Sequence, residues 1–97
     1  MDHTGNTDLL ARSRVRIDTL DRQIAGLLAE RFAVSDEIGR YKAENDLPVR
    51  NAAREAEVLA SARTQASPPY ADDVAAVYET ILARSRHRQD PAAETDN

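Results

Sequence analysis

Residues 17–42, IDTLDRQIAGLLAERFAVSDEIGRYK, place apolar side chains at Ile17, Leu20, Ile24, Leu27, Val34 and Ile38, with Tyr41 following. The spacings alternate between three and four with one position skipped, the pattern of a heptad seam along a helix. Followed outward, the helical pattern extends from about Leu9 to Asn45. A helix of about 35 residues is roughly 50 Å long at about 1.5 Å per residue. A compact domain of 97 residues has a radius of gyration of only about 13 Å, so a second chain is expected to lie along such a rod.

Two proline signals divide the remainder. Asn45, Asp46 and Pro48 end the first helix, because proline biases the preceding residue away from helical geometry and has no N–H to continue the ladder. A second helix is expected from about Asn51, a good N-cap, to Thr64, with Val58 and Leu59 facing the core. The segment SPPY around Pro68 and Pro69 closes it. The third helix starts near Asp72, where Asp72 and Asp73 suit the positive end of the helix dipole, and carries Val74, Val77, Tyr78, Ile81 and Leu82 on one face. Residues 1–8 and 90–97 are polar, lack helical periodicity and read as disordered tails, which leaves 9–89 as the helical domain. The expected fold class is all-α, with a long, a short and a medium helix forming an intertwined helical homodimer.

Composition agrees and excludes several functions. Trp is absent, aromatics make up 4% and only three residues are Gly, as befits long helices rather than sheets. The net charge of −4 disfavours a nucleic-acid binder held by phosphate contacts. Without cysteine there is no disulfide or thiolate site, and His3 and His87 lack the spacing of a metal pair, so no metal is expected. No apolar run reaches membrane-spanning length, and MDHTGNTD lacks the features of a signal peptide. The expectation is a cytoplasmic protein with no membrane or nucleic-acid partner.

Function is suggested by polar residues where a core should be. At the skipped seam position stands Arg31, flanked by Leu27, Leu28 and Val34. A guanidinium there must reach water, a carboxylate or an anionic ligand, and snorkelling or a core Glu is the ordinary alternative. Lys42 lies eleven residues on and returns to within about 20° of Arg31 at 100° per residue, although a lysine near a helix end also serves the dipole. Arg14 precedes Arg31 by about 25 Å of helix axis. It is therefore either a surface arginine or part of a second subunit's site in a twofold dimer. Arg50 and Arg54 are one turn apart with Glu55 adjacent, and the third helix's apolar face runs into Ser85 and Gln89. Solvated ion pairs and simple fraying would explain these as well.

Together these residues carry a family resemblance. The run IDxLDxxIxxLLAER ending in Arg31, its spacing to Lys42, and PVRxxxRE from Pro48 to Glu55 resemble the all-helical (AroQ-type) chorismate mutases of the shikimate pathway. The likeness is close from Arg14 to Leu59 and reaches a few positions of the third helix. It implies that Arg31, Lys42, Arg54, Glu55, Ser85 and Gln89 come from one subunit and Arg14 from the other. Asn51 departs from the pattern, standing where some members carry Asp near the substrate's ring hydroxyl.

What the resemblance implies suits the chemistry of these residue types. Chorismate to prephenate is a unimolecular pericyclic rearrangement of a dianion, so neither cofactor nor nucleophile is needed. Arginines hold carboxylates in bidentate fashion. Arg14 and Arg31 would be the main clamps, with Arg54 and Ser85 in support. Lys42 and Gln89 would face the breaking ether oxygen, and Glu55 would accept a hydrogen bond from the ring hydroxyl. Lys42, Gln89 and Arg31 are thus the expected catalytic residues. Three alternatives remain open: a 4-amino-4-deoxychorismate mutase, an isochorismate-pyruvate lyase of the same fold, and a non-catalytic helical dimerisation module. The intact Arg54–Glu55 pair favours the chorismate enzyme over the lyase. No effector domain is expected in so short a chain, which leaves any regulation to a partner enzyme.

Overall fold

The computed structural model describes residues 3–90, with side chains described from Asp8 onward. All regular structure among the described residues is helical: α1, His3–Glu44; α2, Ala52–Gln65; a 3₁₀ turn, Pro68–Tyr70; and α3, Ala71–Gln89. The long, short and medium helices expected from the sequence are 42, 14 and 19 residues. None of them is long and apolar enough to cross a membrane. The chain divides into two units, Met1–Arg31 and Phe32–Asn97.

The N-terminal end differs from the sequence expectation. The tail expected over residues 1–8 is helical from His3 onward, while residues 1 and 2 lie outside the described residues. Hydrophobic periodicity reports burial, not helicity. Once a long helix is nucleated, each further polar residue adds a hydrogen bond without a new nucleus. At the other end α3 stops at Gln89 with Asp90 as its C-cap, and residues 91–97 of the expected C-terminal tail lie outside the described residues.

In the first unit every side chain from Asp8 to Glu30 is exposed except half-buried Leu28. The seam is open: Ile17 is 55% exposed, Leu20 49%, Ile24 54% and Leu27 64%. The helix therefore gains little from packing within its own chain.

The second unit contains the core. Ala62 of α2 and Ala75, Ile81 and Leu82 of α3 are buried, with Val58, Leu59, Val74 and Tyr78 half-buried around them. Val77, expected on this face, is exposed. It follows Val74 by three residues but lies about 100° from a stripe centred on Tyr78. In the C-terminal part of α1 the buried residues are Ser35 and Gly39, while Val34 and Ile38 stay exposed. Small residues one position along from the seam thus face inward, and the seam itself continues outward.

Three local devices shape this unit. The C-terminus of α1 closes in a Schellman turn: Leu47 N–H donates to Lys42 O at 2.8 Å and Asp46 N–H to Ala43 O at 3.5 Å. Asp46 takes φ 54°, a left-handed conformation that aspartate tolerates better than most residues with a Cβ. Across the proline turn, Arg63 in the last turn of α2 bonds Asp72 in the first turn of α3, each sitting at the helix end its charge favours. Finally, Arg88 of α3 grips Asp36 of α1 with two bonds, Nε to Oδ1 at 2.7 Å and Nη2 to Oδ2 at 2.8 Å.

The Asp36–Arg88 fork makes stability depend on pH. The hydrogen bond from Arg88 is the largest effect and, with the charges of Arg88 and Arg40, holds the Asp36 carboxyl below its ordinary value of 3.8 against an opposing desolvation. A carboxyl with a depressed folded value contributes stability above its unfolded pKa and loses it as pH falls through the folded one. The expected result is a lower urea midpoint below about pH 4, with a smaller drop in Asp36→Asn. Parallel pH profiles for the two proteins would show that Asp36 has no part in it.

Candidate active site

The constellation in the second unit is organised around the last turn of α1. Lys42 is half-buried there, and its Nζ donates to Val49 O and to Gln89 Oε1, each at 2.7 Å. The Schellman turn folds residues 47–49 back over the helix end, which brings the Val49 carbonyl to the ammonium. Gly39 brings Gln89: a Cβ on Gly39 would lie 2.7 Å from Gln89 Cα and 2.9 Å from Gln89 O. Only hydrogen at that position lets the backbone of α3 approach so closely.

These bonds define what the pair can do. An ammonium has three N–H donors and no acceptor, so two are used here and a third is left for a ligand. Because Gln89 turns its carbonyl oxygen to Lys42, its amide NH₂ is the part left to donate. A cation and a neutral donor held side by side can stabilise negative charge growing on one ligand oxygen. Ser85, one turn before Gln89, is buried and engaged in an interaction.

A second cluster gathers at the start of α2. Asn51 is the N-cap, its side-chain oxygen accepting from Arg54 N–H at 3.0 Å. One lone pair of its oxygen is thereby engaged, and its NH₂ is left to serve a ligand. Glu55, in the first turn, accepts from Arg86 Nη1 at 2.7 Å, with Arg50 Nε 3.8 Å from the same Oε1. The Arg54 guanidinium is exposed and pairs with Glu57 at 3.2 Å. An exposed pair of this kind is worth at most about 0.5 kcal/mol, so a ligand carboxylate can displace it. A shallow depression of about 380 Å³ adjoins the cluster, lined by Val49, Arg50, Ala83, Arg86, His87 and Asp90.

The structure thus joins Lys42 to Gln89, and puts Glu55, Asn51 and Arg54 on the first turn of α2 or at its cap. Of the other residues that the sequence singled out, Glu55 meets Arg50, at 3.8 Å. Arg14 and Arg31 belong to the first unit, where Arg14 is exposed and Arg31 is half-buried and engaged in an interaction. Three participants escaped sequence reasoning. Gly39 gave a usable signal, since a glycine inside a helix costs about 1 kcal/mol relative to alanine and so invites a packing reason. Arg86 gave none because its partner Glu55 is 31 positions away, and the Val49 carbonyl gave none because a backbone oxygen carries no side-chain signal.

The second unit thus carries a lysine–glutamine pair at the end of α1 and an arginine-flanked carboxylate at the start of α2. The chorismate mutase type II family model matches residues 13–90, and the chain belongs to that family. The match spans all three helices and includes every site residue named above, and the family implies chorismate as substrate. Neither the curated proteins nor the solved structures yielded a match.

Proposed function

We propose that this protein catalyses the rearrangement of chorismate to prephenate as a homodimer, without a cofactor. The observation that carries the proposal is the Lys42–Gln89 couple, with both side chains locked at 2.7 Å. In the rearrangement the ether C–O bond breaks as a C–C bond forms, and electron density accumulates on the ether oxygen. The spare ammonium N–H and the amide NH₂ stabilise that oxygen more in the transition state than in the ground state, which is the condition for raising kcat. No proton changes hands.

Binding then consists of holding a dianion in its folded form. Arg31 and Arg14 of the partner subunit clamp the carboxylates, with Arg54 and Ser85 in support. Glu55 accepts from the ring hydroxyl, and Asn51 offers its NH₂ nearby. Effective molarities reached by such pre-orientation are large enough to supply much of the rate enhancement. The dimer is supported by the open seam of α1, since apolar side chains from Ile17 to Ile38 that stay 41–64% exposed in one chain would leave water against a partner helix.

Initial rates with chorismate, 4-amino-4-deoxychorismate and isochorismate test the proposal. The expected result is dominant conversion of chorismate to prephenate. Dominant pyruvate release from isochorismate, or turnover of none of the three, would overturn it.

A further inference from the structure

The Glu55 side chain is 16% exposed, and two guanidiniums face it. Both contacts fall on Oε1: Arg86 Nη1 donates at 2.7 Å and Arg50 Nε lies at 3.8 Å. Oε2 is therefore the oxygen left to a ligand. Arg86 is the more sheltered of the two cations, at 34% against 66% for Arg50. It sits on α3 between Ser85 and Gln89, so one helical turn carries both the proposed substrate contacts and the group that holds Glu55.

We infer that Arg86 is a positioning residue that makes the ring-substituent subsite select a neutral hydroxyl over a cationic amine. The inference rests on the proposed chorismate mutase reading, in which Glu55 receives the ring substituent. An isolated carboxylate would accept from either group and would favour the ammonium, because opposite charges attract. Here two guanidiniums face one carboxylate, so they offset the attraction that Glu55 alone would exert on a cation, with Asp90 the one other carboxylate lining the adjoining depression. An aliphatic amine is protonated at neutral pH and gains less here than beside an isolated carboxylate. A hydroxyl brings no charge and loses nothing. The short bond to Oε1 also fixes the carboxylate's rotation, so that Oε2 presents itself as an acceptor.

The experiment is steady-state kinetics of the intact protein on chorismate and 4-amino-4-deoxychorismate, in wild type, Arg86→Gln, Arg86→Lys and Arg50→Gln. The quantity read is the ratio of kcat/KM for the hydroxyl substrate to that for the amino substrate. Arg86→Gln should lower the ratio by about tenfold, the size of one unit-charge interaction across roughly 7 Å at an effective dielectric between that of protein surface and water. Arg86→Lys, which keeps the charge, should restore most of it. If Arg86→Gln fails to fold, Arg50→Gln carries the test, with a drop of about threefold expected from the more distant and solvated cation.

A ratio unmoved in every folded variant, or equal losses on both substrates, overturns the inference and leaves the proposed function standing. Failure of Arg86→Lys to restore the ratio also overturns the electrostatic role. A wild type that prefers the amino substrate sinks the inference and the proposed substrate together, and a wild type inactive on both sinks the proposed function itself.

Discussion

Replacing Lys42 with alanine is expected to lower kcat/KM for chorismate by about 10³-fold while the helical circular dichroism signal is kept. Removing one pre-organised donor to a developing oxyanion typically costs about 10²–10³ in kcat. Lys42 belongs at the upper end for two reasons. It brings a full charge, and its bond to Gln89 Oε1 at 2.7 Å is what turns the glutamine's NH₂ toward a ligand. Losing the lysine therefore disorders the second donor as well, and the Gln89→Ala change alone should cost less, about 10–100-fold. Arginine is a poor substitute here, since its planar fork cannot reproduce a compact ammonium that bonds Val49 O and Gln89 Oε1 together. Initial rates with chorismate check this, and activity within tenfold of wild type in Lys42→Ala would remove the couple from the mechanism.

The second large effect is expected at Gly39. Glycine to alanine in a helix ordinarily stabilises by about 1 kcal/mol. At Gly39 the new methyl would lie 2.7 Å from Gln89 Cα and 2.9 Å from Gln89 O. These are backbone atoms that no rotamer change can move. Overpacking of this kind costs about 1–3 kcal/mol, which outweighs the propensity gain and pushes the end of α3 off α1. A displacement of about 1 Å at a site can cost about 10²-fold in rate, so Gly39→Ala should lose both urea stability and activity. Gly26 supplies the control, because nothing lies within 4 Å of its Cβ position and alanine there should stabilise slightly with activity kept. Equal behaviour of the two variants would show that the close approach at Gly39 does not matter.

The helices were largely legible because their signals are local. Asn51 announced the start of α2, and Pro48 and the Pro68–Pro69 pair announced the breaks. Charge placement gave Asp72 and Asp73 at the head of α3. The start of α1 was not legible, since polar residues from His3 to Asp8 carry no periodicity even when their backbone is helical. Packing was read less well. The inward face of α1 near its C-terminus is Ser35 and Gly39 rather than Val34 and Ile38, because the most apolar stripe of a chain need not face that chain's own core.

The site was legible as residue types and not as partners. Lys42 and Gln89 are separated by 47 positions and were linked in advance only through the family pattern. The capping role of Asn51 followed from its place before α2, and it limits what Asn51 can offer a substrate. Arg86 could not be foreseen, as nothing local distinguishes it from Arg84 or Arg88. Its meaning comes from Glu55, which only the packing of α2 against α3 brings within reach.

Subunit sharing is tested most directly by mixing two inactive dimers. Arg14→Ala and Lys42→Ala lesions fall in different sites if each pocket takes Arg14 from one protomer and Lys42 from its partner. After random exchange half the dimers are heterodimers, and each would contain one site with both residues and one with neither, so activity should recover to about one quarter of wild type. Mixtures that stay inactive although exchange is demonstrated would contradict a pocket shared between two chains.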